Sequence, residues 1–444
     1  MSRISLSFAL GIIFLLLVST SVSAIGSDSA HQEIGLDEEE TPVNLSDKED
    51  KEMTERKRKG TTFADTDDIE RKPIRIDNNS DFADQAEENN WTGNGSEENP
   101  YILEEFKIDG GGFGYGIYVG NVSHHFVVQE CTLKNSSGRN GEYFKNSGVY
   151  IYNTSHGHLE GNTITNNSIG VLLTDSEENM IVVNEIVNNT IGMNITNSSN
   201  NVLEDNQVVE NEQTGITLTL SHSNEITMNN VSSNLGKGVY LDECINNSIR
   251  NLRSMGNDKA GLELQSSDFN QIENNNISFN SGDGLYIVYS NNNVVNLTEV
   301  LSNGNHGIFL NNSENNKIYH NNFIDNDIQA RDNGLYNDWT NGYPDGGNYW
   351  SDHDGDDNQS GGNQGLPGSD GIIDSPYQGI GGGTGAQDDY PLMRTMPTPH
   401  VRIESPAEGT MFSSSNITVE WSPIYRFTDR LTFEARIDQR EWIY

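Results

Sequence analysis

Cysteine is scarce in this 444-residue chain, with only Cys131 and Cys244 present. Two thiols do not make a disulfide scaffold, so burial and hydrogen bonding must hold the fold. Cations are scarce as well: 26 Lys and Arg stand against 66 Asp and Glu, a formal charge of -40. Nucleic acid and anionic membrane surfaces both need a basic footprint, so neither is expected as a partner. Such acidity suits solubility, cations or high salt. Nothing after the first 24 residues is apolar enough to insert in a bilayer. Those first residues set Arg3 before an apolar run through Leu15, Leu16 and Leu17 and finish on Val22-Ser23-Ala24. The run is short and ends in small residues, which reads as a signal peptide. Secretion or cell-surface display is expected, and sequons at Asn121, Asn153, Asn194, Asn230 and Asn276 offer glycan acceptors. No Ser/His/Asp or phosphate-cradling motif stands out.

What the chain has in abundance is a repeat. Gly148, Gly170, Gly192, Gly215, Gly238, Gly261, Gly284 and Gly307 open copies of 22 or 23 residues. Counted from the glycine, the apolar columns fall at +1, +3, +11 and +16; the +3 column, for example, runs Ile151, Leu173, Ile195, Leu218, Leu241, Leu264, Ile287, Leu310. Asparagine fills +19 from Asn167 to Asn326, and Ser or Thr fills +6 except at Cys244. Apolar residues two apart in short runs between Asn, Gly and Ser read as brief strands with one inward face. A helical repeat needs a longer period and a spacing of three and four. The pattern therefore predicts an all-β, right-handed parallel β-helix in which like residues stack roughly 4.8 Å apart. On that spacing Cys131 and Cys244 lie roughly 24 Å apart, far beyond bridging distance.

Around the repeat the composition changes. Residues 25–72 form an acidic, polar spacer expected to be disordered. Residues 73–115 are read as an N-terminal cap and first coil, since an open solenoid end would expose its core. The repeats occupy 116–331, with an irregular first copy at Gly116 and an extra loop, Ser137 to Lys145, before Gly148. Residues 332–397, rich in Gly, Asp and aromatics, suit a C-terminal cap. From 398 to 444 an alternating pattern begins that resembles the first strands of a β-sandwich, too short to complete one.

Several stretches fit one family together: Asn99-Pro100-Tyr101-Ile102-Leu103-Glu104 with Ile108-Asp109-Gly110-Gly111, then Gly347-Asn348-Tyr349-Trp350-Ser351-Asp352, Asp370-Gly371-Ile372-Ile373-Asp374-Ser375-Pro376-Tyr377 and Tyr390-Pro391-Leu392. With the repeats they resemble the NosD-like right-handed β-helix surface proteins of archaea over 73–393. The resemblance implies a family named for a periplasmic copper-related protein, whose fold is also described as a carbohydrate-binding and sugar-hydrolysis domain. The family's cap loop is short and dense in Asp and Gly, whereas here Asn358 to Ser369 is a long insertion and Ile373 stands in place of a glycine.

Three constellations could carry chemistry. Asp352, Asp354, Asp356, Asp370 and Asp374 offer oxygen ligands at alternate positions with glycine between them, as calcium requires. A solvated acidic loop is the plainer reading. His124 and His156 both fall at +8 in adjacent copies and are expected to stack, a spacing that suits copper or zinc; exposed turn histidines also stack this way by chance. At +2, between two lumen positions, Tyr118, Tyr150, Tyr240 and Tyr286 point outward, with Tyr152 beside Tyr150 and a loop carrying Tyr143 and Phe144 as a wall. Such rings suit stacking on sugars, although outward aromatics also simply stabilise a sheet. The expected function is non-catalytic contact with a polysaccharide, glycan or cell-envelope protein. The alternatives are a polysaccharide-active enzyme and a copper-handling protein. No converging pair of carboxylates and no basic cluster beside them is apparent, which argues against catalysis.

Overall fold

The computed structural model describes residues 69–138 and 145–396, together with the strands Ser2–Ser7, Val401–Ser405 and Asn416–Pro423. The chain divides into two units, 68–398 and a second made of 1–67 with 399–444. In the second unit Asn416–Pro423 pairs antiparallel with both Ser2–Ser7 and Val401–Ser405. The remainder of the expected leader, spacer and β-sandwich segment lies outside the described residues. Among the described residues no helix is long and apolar enough to cross a membrane.

The larger unit is the predicted parallel β-helix. Its coils build three sheets of ten, eleven and twelve strands. Each coil places a strand at the glycine in the eleven-stranded sheet, one around +11 in the ten-stranded sheet and one around +16 in the twelve-stranded sheet. Pairing keeps strict register, as in Leu241 on Leu218 and Leu264 on Leu241. The +1 and +3 aliphatics and the +11 column are buried at 2% exposure or less throughout. The +16 column follows, with Ser254 the polar exception, its Oγ donating to the Gly261 carbonyl at 2.8 Å.

Corners are made by one device used four times. A single residue in left-handed conformation stands at +5, +8, +13 and +18, as at Leu220, Ser223, Met228 and Ser233. Asn, Asp and Gly adopt that conformation most readily, which accounts for their abundance. The residue after each such corner turns its polar side chain inward and bonds to the next coil. At +6 the backbone N–H of Ser176 donates to Ser198 Oγ at 3.0 Å. At +19 Asn234 donates through Nδ2 to Asn257 Oδ1 at 3.0 Å and to the Val208 carbonyl at 3.1 Å. Two further asparagine ladders run at +9, from Asn179 to Asn316, and at +14, where Leu252 and Thr298 interrupt Asn162 to Asn321. These satisfy the corner backbone that burial would otherwise orphan.

The repeat glycine is required by space. A Cβ at Gly215 would lie 2.4 Å from Val231 Cγ1 and 2.8 Å from the Gly238 carbonyl oxygen. Both ends are closed. At the N-terminal end the helix Asn79–Asn89, capped by Asn78 accepting from Asp81 N at 3.0 Å, buries Phe82 and Ala86. Phe82 stacks on Tyr101 at 4.7 Å and meets Phe126 at 5.4 Å. The expected cap is thus built on a helix that its sequence did not announce. At the other end Trp350 stacks between Phe323 at 4.6 Å and Tyr377 at 4.1 Å, closing the lumen with rings.

Candidate functional site

With +1 and +3 in the lumen, strand alternation turns the side chains at +2 and +4 outward, and the alternation breaks at the repeat glycine, so that Lys237 and His306 at −1 meet rings of the +2 column. In the C-terminal coils the +2 column reads Tyr240, Glu263, Tyr286, Phe309 and Arg331 in direct register. Lys237, at −1, joins it. Its Nζ donates to Glu263 Oε1 at 2.7 Å and sits 3.5 Å from the centre of the Tyr240 ring. Burial, with Asp242 and Glu263 nearby, pushes the Tyr240 hydroxyl up to about 12, so it stays protonated at neutral pH. Tyr286 lies 5.4 Å from Phe309 and its hydroxyl accepts from Asn311 Nδ2 at 2.9 Å. Arg331 lies over Phe309 at 5.4 Å.

Beside this ladder, again at −1, is a carboxylate–imidazole pair. Asp283 Oδ1 lies 2.8 Å from His306 Nδ1 and also accepts the His306 backbone N–H at 2.9 Å. The ring packs on Phe309 at 4.9 Å, and its Nε2 is buried with no hydrogen-bond partner among the described residues. That geometry fixes the ring by Nδ1 and leaves Nε2 for other work. Phe309 belongs to the outward +2 aromatics that the sequence shows, whereas Lys237, Asp283, His306 and Arg331 are not singled out by it. Their signal was present in the −1 and +2 columns, which bind nothing in the lumen and therefore show no periodic preference.

The aromatic residues expected to form one outward platform divide in two. Tyr118 and Tyr150 are buried, at 2% and 4% exposure, in a cluster with Tyr115 and Leu172. They point away from the lumen as expected, yet offer no open ring face, which corrects the expectation of a stacking surface there. Burial pushes the Tyr118 hydroxyl up to about 12, against the pull of Arg75, 5.0 Å from its ring. Tyr152 packs on this cluster. Tyr240 and Tyr286 are half-buried in the other group. Tyr143 and Phe144 lie outside the described residues.

The stacked histidines are His125 and His156, with ring centres 4.4 Å apart, not His124 and His156. The turn after Gly120 has one residue more than the turn after Tyr152, so Phe126 pairs with Gly157 and the register slips by one. His124 faces Tyr101 instead, at 5.8 Å. His156 Nε2 lies 3.1 Å from Glu178 Oε2 in the next coil.

In the C-terminal loop the carboxylates are engaged separately. Asp352 accepts from the Tyr377 hydroxyl at 3.1 Å. Asp370 accepts from Ile372 N at 3.1 Å, and Asp374 from Asn358 N and Gln359 N at 3.1 and 3.0 Å. Asp354 and Asp356 are exposed. Asp357 is held below the usual carboxylate range: burial opposes this, but Ser369, Asp370 N and Gly371 N all donate to it. Among the described residues no three His, Cys, Asp or Glu side chains gather closely enough to hold a metal ion.

Comparison with known families agrees with this architecture. The family described as "Right handed beta helix region" matches residues 90–241, and that described as "Periplasmic copper-binding protein (NosD)" matches 209–355. Over residues 90–355 the chain is a NosD-like right-handed β-helix repeat. No curated protein matches it. Solved structures similar to this NosD-like chain include the mannuronan C-5 epimerase AlgE4 A-module of Azotobacter vinelandii, at 13% identity over 55% of this chain and 82% of that one, with a TM-score of 0.41. A mutant of the periplasmic alginate epimerase AlgG matches at 18% identity over 61% and 73%, with a TM-score of 0.42. The Dettilon tailspike protein matches at 12% identity over 60% and 61%, with a TM-score of 0.36.

Proposed function

We propose that this NosD-like protein is secreted or displayed at the cell surface and binds a polysaccharide, glycan or cell-envelope protein on the outer face of its eleven-stranded sheet, without catalysing a reaction. The observation that carries this reading is the ladder from Tyr240 to Arg331, with the Lys237–Glu263 pair set into it. Backbone pairing fixes every member, so a ligand would meet a preformed surface and little protein would be ordered on binding. The periplasmic description of the matching family accords with a place outside the cytoplasm.

A polysaccharide-active enzyme is the second reading, favoured by Asp283 and His306, since a carboxylate that orients an imidazole is half of a general-base arrangement. Copper handling rests on the stacked His125 and His156 and on the description of the family. Calcium in the 352–374 loop is a separate proposal, supported by its six acidic residues and tested by the effect of a chelator on thermal unfolding. A polysaccharide panel scored for both retention and release of new chain ends decides between the first two readings. Retention without release is expected, and should weaken on Tyr286→Ala. Release of reducing or unsaturated ends would replace binding by catalysis. Absence of both would sink the carbohydrate reading.

A further inference from the structure

We infer that the ligand of this face is a neutral polysaccharide, held where Lys237 and Glu263 meet a pair of adjacent hydroxyls between the rings of Tyr240 and Tyr286. This inference rests on the binding reading above and specifies its substrate class.

Charge makes the first selection. In the coils that open at Gly238, Gly261 and Gly284, the outward positions carry one cation, Lys237, against three carboxylates, Asp242, Glu263 and Asp283. That cation is already paired. A polyuronate would bring a carboxylate with every sugar to a surface of its own sign, on a chain of formal charge -40. The repulsion is strongest at low salt, where the Debye length is long.

The ion pair makes the second selection. Glu263 is 8% exposed although it stands on the outer face, so its carboxylate is largely removed from water. One of its oxygens takes the bond from Lys237 and none of the described residues donates to the other. Lys237 has three N–H donors, of which one goes to Glu263 while the ammonium rests on the Tyr240 ring. An acceptor and a donor therefore remain side by side. Two neighbouring sugar hydroxyls, one donating to Glu263 and one accepting from Lys237, complete that set, and each new bond is charge-assisted.

The rings make the third. Tyr240 and Tyr286 sit on either side of Glu263 in the same column, two strands apart or about 10 Å. An extended glycan along the stack would lay the apolar faces of its rings on the two tyrosines and its hydroxyl edge on the pair between them. No proton or bond is exchanged, so the two protein groups keep their charges throughout.

The test measures affinity of the full chain for a neutral glucan, a neutral xylan and a polyuronate, each at low and high salt, for wild type, Glu263→Gln, Lys237→Met and Tyr240→Leu. Binding of at least one neutral polymer with little salt dependence is expected, together with weaker binding of the polyuronate. Loss of one charge-assisted contact should weaken neutral-polymer binding about tenfold or more in Glu263→Gln and Lys237→Met. Tyr240→Leu keeps the ion pair and should lose affinity by removing the ring alone. Unchanged thermal unfolding identifies these as site effects. Preference for the polyuronate, or neutral binding untouched in all three variants, overturns the inference while leaving carbohydrate binding intact. Failure to bind any of the polymers overturns both.

Discussion

Replacing Asn234 by alanine should destabilise the solenoid more than deleting a comparable apolar group from its surface. The side chain is fully buried and makes four hydrogen bonds between three coils. It donates to the Val208 carbonyl at 3.1 Å and to Asn257 Oδ1 at 3.0 Å, and accepts from Asn211 N at 3.0 Å and Asn211 Nδ2 at 2.9 Å. Three of these partners have alternatives: Asn257 Oδ1 keeps the backbone N–H of Asn234, and Asn211 Nδ2 keeps the Ile186 carbonyl. The Val208 carbonyl likewise keeps the Ser232 N–H of the strand ladder, whereas the Asn211 N–H keeps nothing. That single buried orphan sets the loss at about 1–3 kcal/mol. Asn234→Asp should be worse still, because a carboxylate oxygen would then face the Val208 carbonyl and Asn257 Oδ1 with no proton between them. Solenoids can unfold coil by coil, so urea unfolding should be paired with amide exchange at Asn211 and its neighbours. A change below about 0.5 kcal/mol, which is the range of ordinary surface substitutions, would refute the view that the ladders hold the corners. So would an aspartate variant more stable than the alanine one.

Three other outcomes follow from the same geometry. Phe279 holds a left-handed corner at φ 55 with 55% of its surface exposed, so Phe279→Gly should stabilise by about 1 kcal/mol in urea unfolding, the left-handed penalty outweighing the small burial lost. Gly215→Ala should destabilise by about 1–3 kcal/mol through overpacking against Val231 and the Gly238 carbonyl, with the same assay as judge. Burial pushes the Cys131 thiol up to about 12 and the Cys244 thiol up to about 11, so neither should react with a thiol reagent at about pH 8 until denaturant is added. Rapid labelling of the native protein would show that the corners open freely.

The fold was legible because its physics is periodic. A lumen position meets the same neighbours in every coil, so Val149, Val171 and Met193 answer to one constraint and the column shows it. The +9 and +14 asparagine ladders obey the same rule and were readable in principle, spaced five residues apart up to +19. Leu252 and Thr298 broke the second of them. Register at the first coil was not readable, because one residue added in the turn at 121–125 changes which histidine stacks and leaves no mark in the glycine count. The outer face was the least legible part. Lys237 and Glu263 are 26 residues apart and meet only because one coil rises onto the next, and Asp283 reaches His306 in the same way. A search for groups close in sequence passes over both.

The C-terminal cap contains a buried acid whose titration can be followed. Asp388 is fully buried, and its Oδ2 accepts from Asn348 N at 2.7 Å and Trp350 Nε1 at 3.0 Å while Oδ1 accepts from Tyr390 N at 3.0 Å. Burial raises its pKa and these donors lower it; burial prevails, leaving the group at about 6. In the unfolded chain an aspartate titrates near 3.9. Between about pH 4 and 6 the folded protein therefore holds a proton that the unfolded chain has released, so the contribution to stability is fully present below that window and lost as pH rises through it. Two pKa units correspond to about 3 kcal/mol. The many surface carboxylates titrate in the same range, so the useful quantity is the difference between wild type and Asp388→Asn. The asparagine is neutral throughout and leaves one donor without its oxygen, which lowers stability by about 1–3 kcal/mol at acid pH. As pH rises from 4 to 6, wild type should lose this advantage and fall towards the variant. A constant gap across that range would mean that the donors outweigh burial and Asp388 stays ionised. The cap would then be held by an anion gripped between Asn348, Trp350 and Tyr390 rather than by a neutral acid.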